Sequence, residues 1–257
     1  MGRPERFRIA HRIGAWAALG GCIVLGACVR NDQSLFIRQV VAPPTVGEGE
    51  RCKYTSDISQ PILSSGILDA GLRNVYTAVF LVGNQLLAQT NKDQVRAESS
   101  RISIQGAEVH VFDVSGDELK SFTRSATGFV DPSDGINPGY AVVGVDVLDS
   151  ASIESASSGI KRGETRRRMV TVRIFGTSLG NTSVESNEFS FPIDICKGCL
   201  VTFPADADDP LIEGPDCHGT STSTSTTSAS SPCYLGQDQT VTCRQCSAFD
   251  VCAAQGP

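Results

Sequence analysis

The stretch NVYTAVFLV, residues 74–82, closed by Gly83-Asn84, decides how the chain folds. Its β-branched and aromatic residues fall on both parities, so a strand here shows apolar groups to both faces. That suits the centre of a sheet, and the Gly-Asn pair supplies the turn that ends it. Residues 107–113 alternate instead. Val109 and Val111 point one way and Glu108, His110 and Phe112 the other, as in a half-solvated strand. The same period recurs with Val143, Val145 and Val147 in 140–148, with Val170, Val172 and Ile174 in 168–175, and with Phe189, Phe191, Ile193 and Ile195 in 187–195.

Shorter apolar pieces at 36–41, around Tyr54, at 102–104 and at 200–203 raise the strand count to eight or nine, and nothing between them patterns as an amphipathic helix. Short strands punctuated by Gly, Asn, Asp and Ser predict an all-β chain. The expected architecture is an Ig-like or fibronectin-like β-sandwich over residues 34–203. The Cys-Trp-Cys pattern of true immunoglobulin domains is absent, because the single tryptophan, Trp16, lies outside that span. Over some ten residues from Tyr76 to Leu86 the chain resembles the strand-plus-Asn signature of sandwich domains in desiccation-related proteins, which implies no activity.

Upstream, Arg3, Arg6, Arg8 and Arg12 precede an uncharged apolar run, IGAWAALGGCIVLGA, at 13–27. A spanning helix needs about 20 apolar residues. This shorter run has the anatomy of a signal peptide. It ends in Leu25-Gly26-Ala27-Cys28, which resembles the lipobox of bacterial lipoproteins, where the Cys is acylated and the chain is cut just before it. Leu19-Gly20-Gly21-Cys22 also fits that pattern, and cysteine parity separates the two. Of ten cysteines, cleavage at Cys28 discards Cys22 and acylates Cys28, leaving an even eight for disulfides; cleavage at Cys22 leaves nine.

The resemblance implies a signal peptide at 1–27, a lipidated tether at 28–33 and a stable anchor through acyl chains, each buried CH₂ contributing about 0.8 kcal/mol. In the resembled family an Asp directly after the lipid Cys favours the inner membrane. Val29 stands there, which implies the outer membrane. Along its length the chain is similar to the cysteine-containing exported lipoproteins of Gram-negative bacteria, for which an envelope address is implied and no activity. The removed peptide carries four of the 22 basic and one of the 28 acidic residues, so the mature chain has 18 against 27, a formal charge of −9. That balance opposes nucleic-acid binding.

From residue 204 the composition changes. An acidic stretch (Asp206, Asp208, Asp209, Glu213, Asp216) leads into a Ser/Thr tract at 219–231 with almost nothing to bury. Five cysteines lie beyond Pro204, Cys217 before the tract and Cys233, Cys243, Cys246 and Cys252 after it, and with Cys52, Cys196 and Cys199 they complete the eight. Residues 204–257 therefore read as an acidic linker and a small appendage stapled by disulfides, being too small to build its own core. Suggested pairings are Cys217 with Cys233, closing the Ser/Thr tract, and Cys52 with the Cys196 turn, among the 105 that eight cysteines allow.

Several motifs invite chemistry. Cys196-Lys-Gly-Cys199 and Cys243-Arg-Gln-Cys246 would suggest zinc or a redox pair in the cytosol, but export favours structural disulfides, and no metal or cofactor is expected. Gly176-Thr-Ser178-Leu-Gly180 matches the nucleophile elbow of serine hydrolases, with Asp206 and His218 following in order. An elbow needs a helix after the strand, whereas 181–187 is a polar turn into another strand. No catalytic residue is assigned; an envelope hydrolase using Ser178 and His218, and a lipid or ligand carrier with a pocket between the sheets, are the alternatives. His110 and His218 read as solvated, and Asp131, Asp134 and the 206–209 acids as exposed turns without calcium-loop spacing. Lys161, Arg162, Arg166, Arg167 and Arg168 form a basic cluster, either a charged hairpin that blocks edge pairing or, at Arg166, Arg167 and Arg168, a contact with an anionic membrane surface. The expected function is a non-enzymatic envelope lipoprotein with a structural or protein-binding surface.

Overall fold

The computed structural model describes residues 34–44, 46–47, 51–89, 98–203, 217 and 231–253; the 1–27 segment, Cys28, the 28–33 tether, Asp206 to Asp209, His218 and most of the Ser/Thr tract lie outside the described residues. Strands form where the sequence alternates: β1 (Leu35–Val40), β2 (Gly66–Asp69), β3 (Tyr76–Asn84), β4 (Ile102–Phe112), β5 (Glu118–Val130), β6 (Gly139–Leu148), β7 (Thr165–Ser178), β8 (Ser183–Glu185), β9 (Phe189–Cys196), β10 (Val201–Thr202) and β11 (Val241–Thr242), with one helix, α1 (Ser150–Ser157), after β6. The protein is all-β.

One sheet has the order β1-β3-β6, all antiparallel, so the doubly apolar 74–82 stretch is its central strand. The second has the order β2-β9-β7-β4-β5, with β8 on β7; β2 runs parallel to β9 and the other neighbours are antiparallel. The valines that alternate in β4, β6 and β7 all face one core, which also buries Tyr76, Phe80, Phe191, Ile193 and Ile195. Removing side chains of this size from water contributes about 1.5–3 kcal/mol each. Asn84 closes one end of the core. Fully buried, it donates to Ser100 O at 2.8 Å and Val130 O at 3.3 Å and accepts from Leu86 N at 2.9 Å.

Three elements were not legible as periodic apolar segments. In β5 the half-buried side carries Lys120, Phe122 and Arg124, which breaks the apolar period. The four residues of β2 are too few to show one. Helix α1 is set by a cap: Asp149 accepts from Ser152 N at 3.0 Å, and Ile153 and Ala156, three apart, are buried. Conversely, Tyr54 belongs to no strand, since 51–57 form no ladder. Its hydroxyl is instead half-buried beside Tyr234 and Asp238, and this partial burial, with those two groups, pushes its pKa up.

Residues 236–238 join the two sheets. Along β2 they pair antiparallel at Leu68 and Gln237, with Asp69 N donating to Gly236 O at 2.9 Å and Asp238 N to Ile67 O at 3.0 Å. Toward β3, the Gln237 side chain copies a peptide group: Thr77 N donates to Oε1 at 3.0 Å and Nε2 donates to Thr77 O at 2.8 Å. The β3–β6 register slips at Tyr76/Thr77 and β1 has already turned away, so this amide stands where a strand neighbour is missing. The Asp238 carboxylate accepts from Ile67 N at 2.8 Å and from the fully buried Tyr76 hydroxyl at 2.8 Å. Burial raises the Asp238 carboxyl and the Tyr76 hydroxyl alike.

Replacing Asp238 with Ala strands that hydroxyl and amide, at about 3 kcal/mol, and places Ala at φ 59°. Thermal unfolding should fall by roughly 10 °C. Asp238→Asn, which keeps one acceptor and tolerates that backbone, should lose less than half as much.

Candidate functional site

The chain enters the body at Leu35, paired with Asn84 and, through it, with Gly139. The β4–β7 end at Ile102 and Ser178 lies at the same place, joined through the bond from Asn84 to Val130. The chemically loaded residues sit at the other end, where β2 and β9 finish and β7 begins.

There Asp69, the last residue of β2, is fully buried. Its Oδ1 accepts from Gly71 N at 3.0 Å and Gly198 N at 2.8 Å, and its Oδ2 from Leu200 N at 3.2 Å. The carboxylate therefore organises the Cys196-Lys-Gly-Cys199 turn, in which Gly198 takes φ 70°, a conformation glycine adopts without strain. An Asp69 oxygen and the two sulfurs lie within 4.8 Å of one another. Three such donors could hold a metal, but the sulfurs are bonded to each other and both carboxylate oxygens already accept N–H groups, so this oxidised set does not fit one.

All eight cysteines after Cys28 are paired: Cys52 with Cys233, Cys196 with Cys199, Cys217 with Cys243, and Cys246 with Cys252. Both suggested pairings are overturned. Residue 231 bridges to Val46, which brings Cys233 to Cys52, and Cys196 faces inward with Cys199 as its near neighbour. Cys217 turns instead into an apolar cluster with Leu72, Val201 and Val241, where Cys243 meets it. The two CxxC motifs thus part company: one closes on itself, the other sends each sulfur to a different partner. In the chain-entropy account the Cys52–Cys233 bond, spanning 181 residues, contributes about 5 kcal/mol, and the Cys196–Cys199 bond, spanning three, about 2 kcal/mol.

The basic cluster is divided by the pleat. Arg166 to Arg168 lie inside β7, paired with β9 on one side, while the β4 ladder stops at Met169; they form no hairpin, but their stretch of β7 is open on its β4 side. Arg166 and Arg168 share the parity of Val170, while Arg167 faces outward and is neutralised by a two-pronged pair with Asp194 at 2.8 and 2.7 Å. Arg166 donates to Ser155 O at 3.5 Å. Burial and the Arg166 charge lower the pKa of Arg168. Beside them Lys120 at 2.6 Å and Arg124 at 3.3 Å hold Asp149, so one carboxylate caps α1 and also neutralises β5. Arg162 reaches across the CxxC turn. It donates to Val251 O at 2.9 Å, stacks over Phe203 at 5.0 Å, and lies so close to Gly198 that a Cβ there would stand 3.0 Å from its Nε.

Ser178 serves the β7–β8 turn. Its Oγ accepts from Thr182 N at 3.1 Å and its N–H donates to Thr182 O at 2.9 Å, with a strand and no helix following. The described histidine, His110, pairs with Thr171, seven residues or about 23 Å along β7 from Ser178. It is not simply solvated: Glu118 at 2.9 Å and Glu108 at 3.5 Å flank the ring, and the Glu118 hydrogen bond raises its pKa. Asp134 accepts from Ile136 N and Asn137 N within its own turn, and Asp131 pairs with Arg101 at 2.9 Å. Neither a family model nor a curated protein matches this chain.

Burial alone would raise the Asp149 carboxyl, but the Lys120 and Ser152 hydrogen bonds and the Lys120 charge outweigh it and hold it at about 2, below its ordinary 3.8. The stabilisation is complete above pH 3.8 and is lost as pH falls through about 2. Allowing for solvent screening it amounts to about 1 kcal/mol. Asp149→Ala should lower chemical-denaturation stability at pH 6, and its difference from the parent should shrink as unfolding is measured from pH 4 down to pH 2.

Proposed function

We propose that the chain is an exported lipoprotein, cut before Cys28 and acylated there, whose β-domain displays a protein-binding surface in the envelope and carries no catalytic site. One observation carries this reading: every cysteine after Cys28 finds its partner among the other seven, so none of the eight claims Cys28. Four disulfides belong to an oxidising, exported environment. No helix among the described residues is long and apolar enough to cross a membrane, and a doubly or triply acylated Cys28 supplies the attachment. Val29 favours the outer membrane.

The strand order supports an Ig-like sandwich. With β1 and β2 taken as two halves of a first strand, one on each sheet, the sheets read A-B-E and A-G-F-C-C′, the partition of that architecture. β5 and β6 meet at one side and the Gln237–Asp238 segment closes the other.

The geometry also favours a protein partner over lipid at the basic end. A six-residue tether, 28–33, reaches at most about 20 Å from Ser34. Arg166 and Arg168 lie near the far end of β7, whose 14 residues span about 45 Å. This reading carries the basic end, with the CxxC turn, away from the anchoring bilayer and toward an acidic partner surface.

Cys28→Ser should leave the chain uncut and without acyl chains, and should remove it from the outer-membrane fraction. In the acylated protein, Arg166→Ser with Arg168→Ser should change partition into vesicles containing anionic lipid less than about twofold. Retention of Cys28→Ser in the outer-membrane fraction would refute the anchor, and a large loss in the arginine variant would restore the lipid contact.

A further inference from the structure

The four disulfides are not alike. Cys52–Cys233 and Cys217–Cys243 bridge distant segments, and Cys246–Cys252 ties two 3₁₀ turns in the apolar cluster around Val241. Cys196–Cys199 closes a turn that is held without it. Asp69 takes the Gly198 and Leu200 amides, Ala70 N donates to Cys196 O at 2.9 Å, and Cys196 pairs with both Asp69 on β2 and Thr165 on β7. Breaking the S–S bond removes none of these.

The surroundings suit the open form as well. Cys196 is fully buried whereas Cys199 reaches solvent, so an incoming sulfur has one target. The Leu68 carbonyl stands 3.4 Å from Cys196 Sγ. A disulfide sulfur has no hydrogen to give that oxygen, but a thiol has, and the acceptor waits for it. The Arg162 guanidinium lies against Gly198 between the two cysteines, and Lys197 is exposed within the motif. Cations so placed ease exchange at the accessible Cys199 sulfur, while the buried Asp69 carboxylate, an oxygen of which lies within 4.8 Å of both sulfurs, favours the protonated thiol once the bond opens.

We propose that Cys196–Cys199 is a reversible dithiol/disulfide couple that exchanges electrons with an exported dithiol protein, while the other three bonds are fixed staples. A partner thiolate attacks Cys199 Sγ. The Cys196–Cys199 bond breaks, a mixed disulfide forms at Cys199, and Cys196 leaves as a thiolate that takes a proton from water and turns it to Leu68 O. The partner's second thiol displaces Cys199, which is protonated in turn. The couple gains two electrons and two protons, and the partner dithiol becomes a disulfide. This goes beyond the anchored-lipoprotein reading and does not rest on Cys28.

The test is a titration of the full mature chain in glutathione mixtures, with acid quenching, alkylation and peptide mapping. Cys196 and Cys199 should become alkylated in mixtures at least about tenfold less reducing than those that open the other three bonds, with near-ultraviolet circular dichroism unchanged. Opening of all four together, or of this pair only with loss of the spectrum, would overturn the proposal. In a second arm, the Cys196→Ser, Cys199→Ser double variant should fold and keep the native spectrum, and Cys196→Ser alone should take up glutathione at Cys199. A double variant that does not fold, or a Cys199 that stays unmodified, contradicts it.

Discussion

The fold depends on one side-chain amide and one carboxylate supplied from far along the chain. Thr77 lies where β3 has lost its neighbour on one side, and Ile67 lies on the open edge of β2. Unpaired backbone groups at such edges are costly when buried and invite foreign strands when exposed. Gln237 meets both groups of Thr77, and Asp238 meets Ile67 N and the Tyr76 hydroxyl. The sheets are thereby joined across their open side, and Tyr76, whose ring fills that corner of the core, has its polar end satisfied.

The covalent frame follows from that docking. Once 236–238 lie along β2, Cys233 is carried to Cys52, and the strand β11 is laid parallel to β10. Cys217, Cys243, Cys246 and Cys252 then form the second, smaller apolar cluster with Leu72 and Val201. The long-range bond restricts the unfolded chain most, whereas the Asp69 turn is organised by backbone hydrogen bonds that its short disulfide only supplements. Stability and reactivity are in this way assigned to different cysteines of one oxidised set.

Most of the central strands could be read from the chain because each carries enough alternating valine or isoleucine to declare which face is buried. β5 could not, since Lys120, Phe122 and Arg124 occupy its inward positions and become intelligible only when Asp149 arrives from the next loop. Asp149 itself is a visible helix signal, an N-cap before Ser-Ala-Ser-Ile, but α1 buries only two residues and so shows no amphipathic period. The basic run looked like one patch in sequence; the two-residue period of β7 separates Arg167 from Arg166 and Arg168. Cysteine parity was legible, but connectivity was not, because it is set by the Gln237 and Asp238 contacts between residues some 160 positions apart.

Parity links the packing to the proposed envelope reading: the eight cysteines after Cys28 pair among themselves, and Cys28 is the one proposed to carry lipid. The decisive measurement is the mass of the mature chain extracted from membranes, with cysteines alkylated after full reduction. The account predicts an N-terminal Cys28 carrying acyl chains and eight alkylated cysteines. Nine alkylated cysteines, or a mature N-terminus at any residue other than an acylated Cys28, would contradict it.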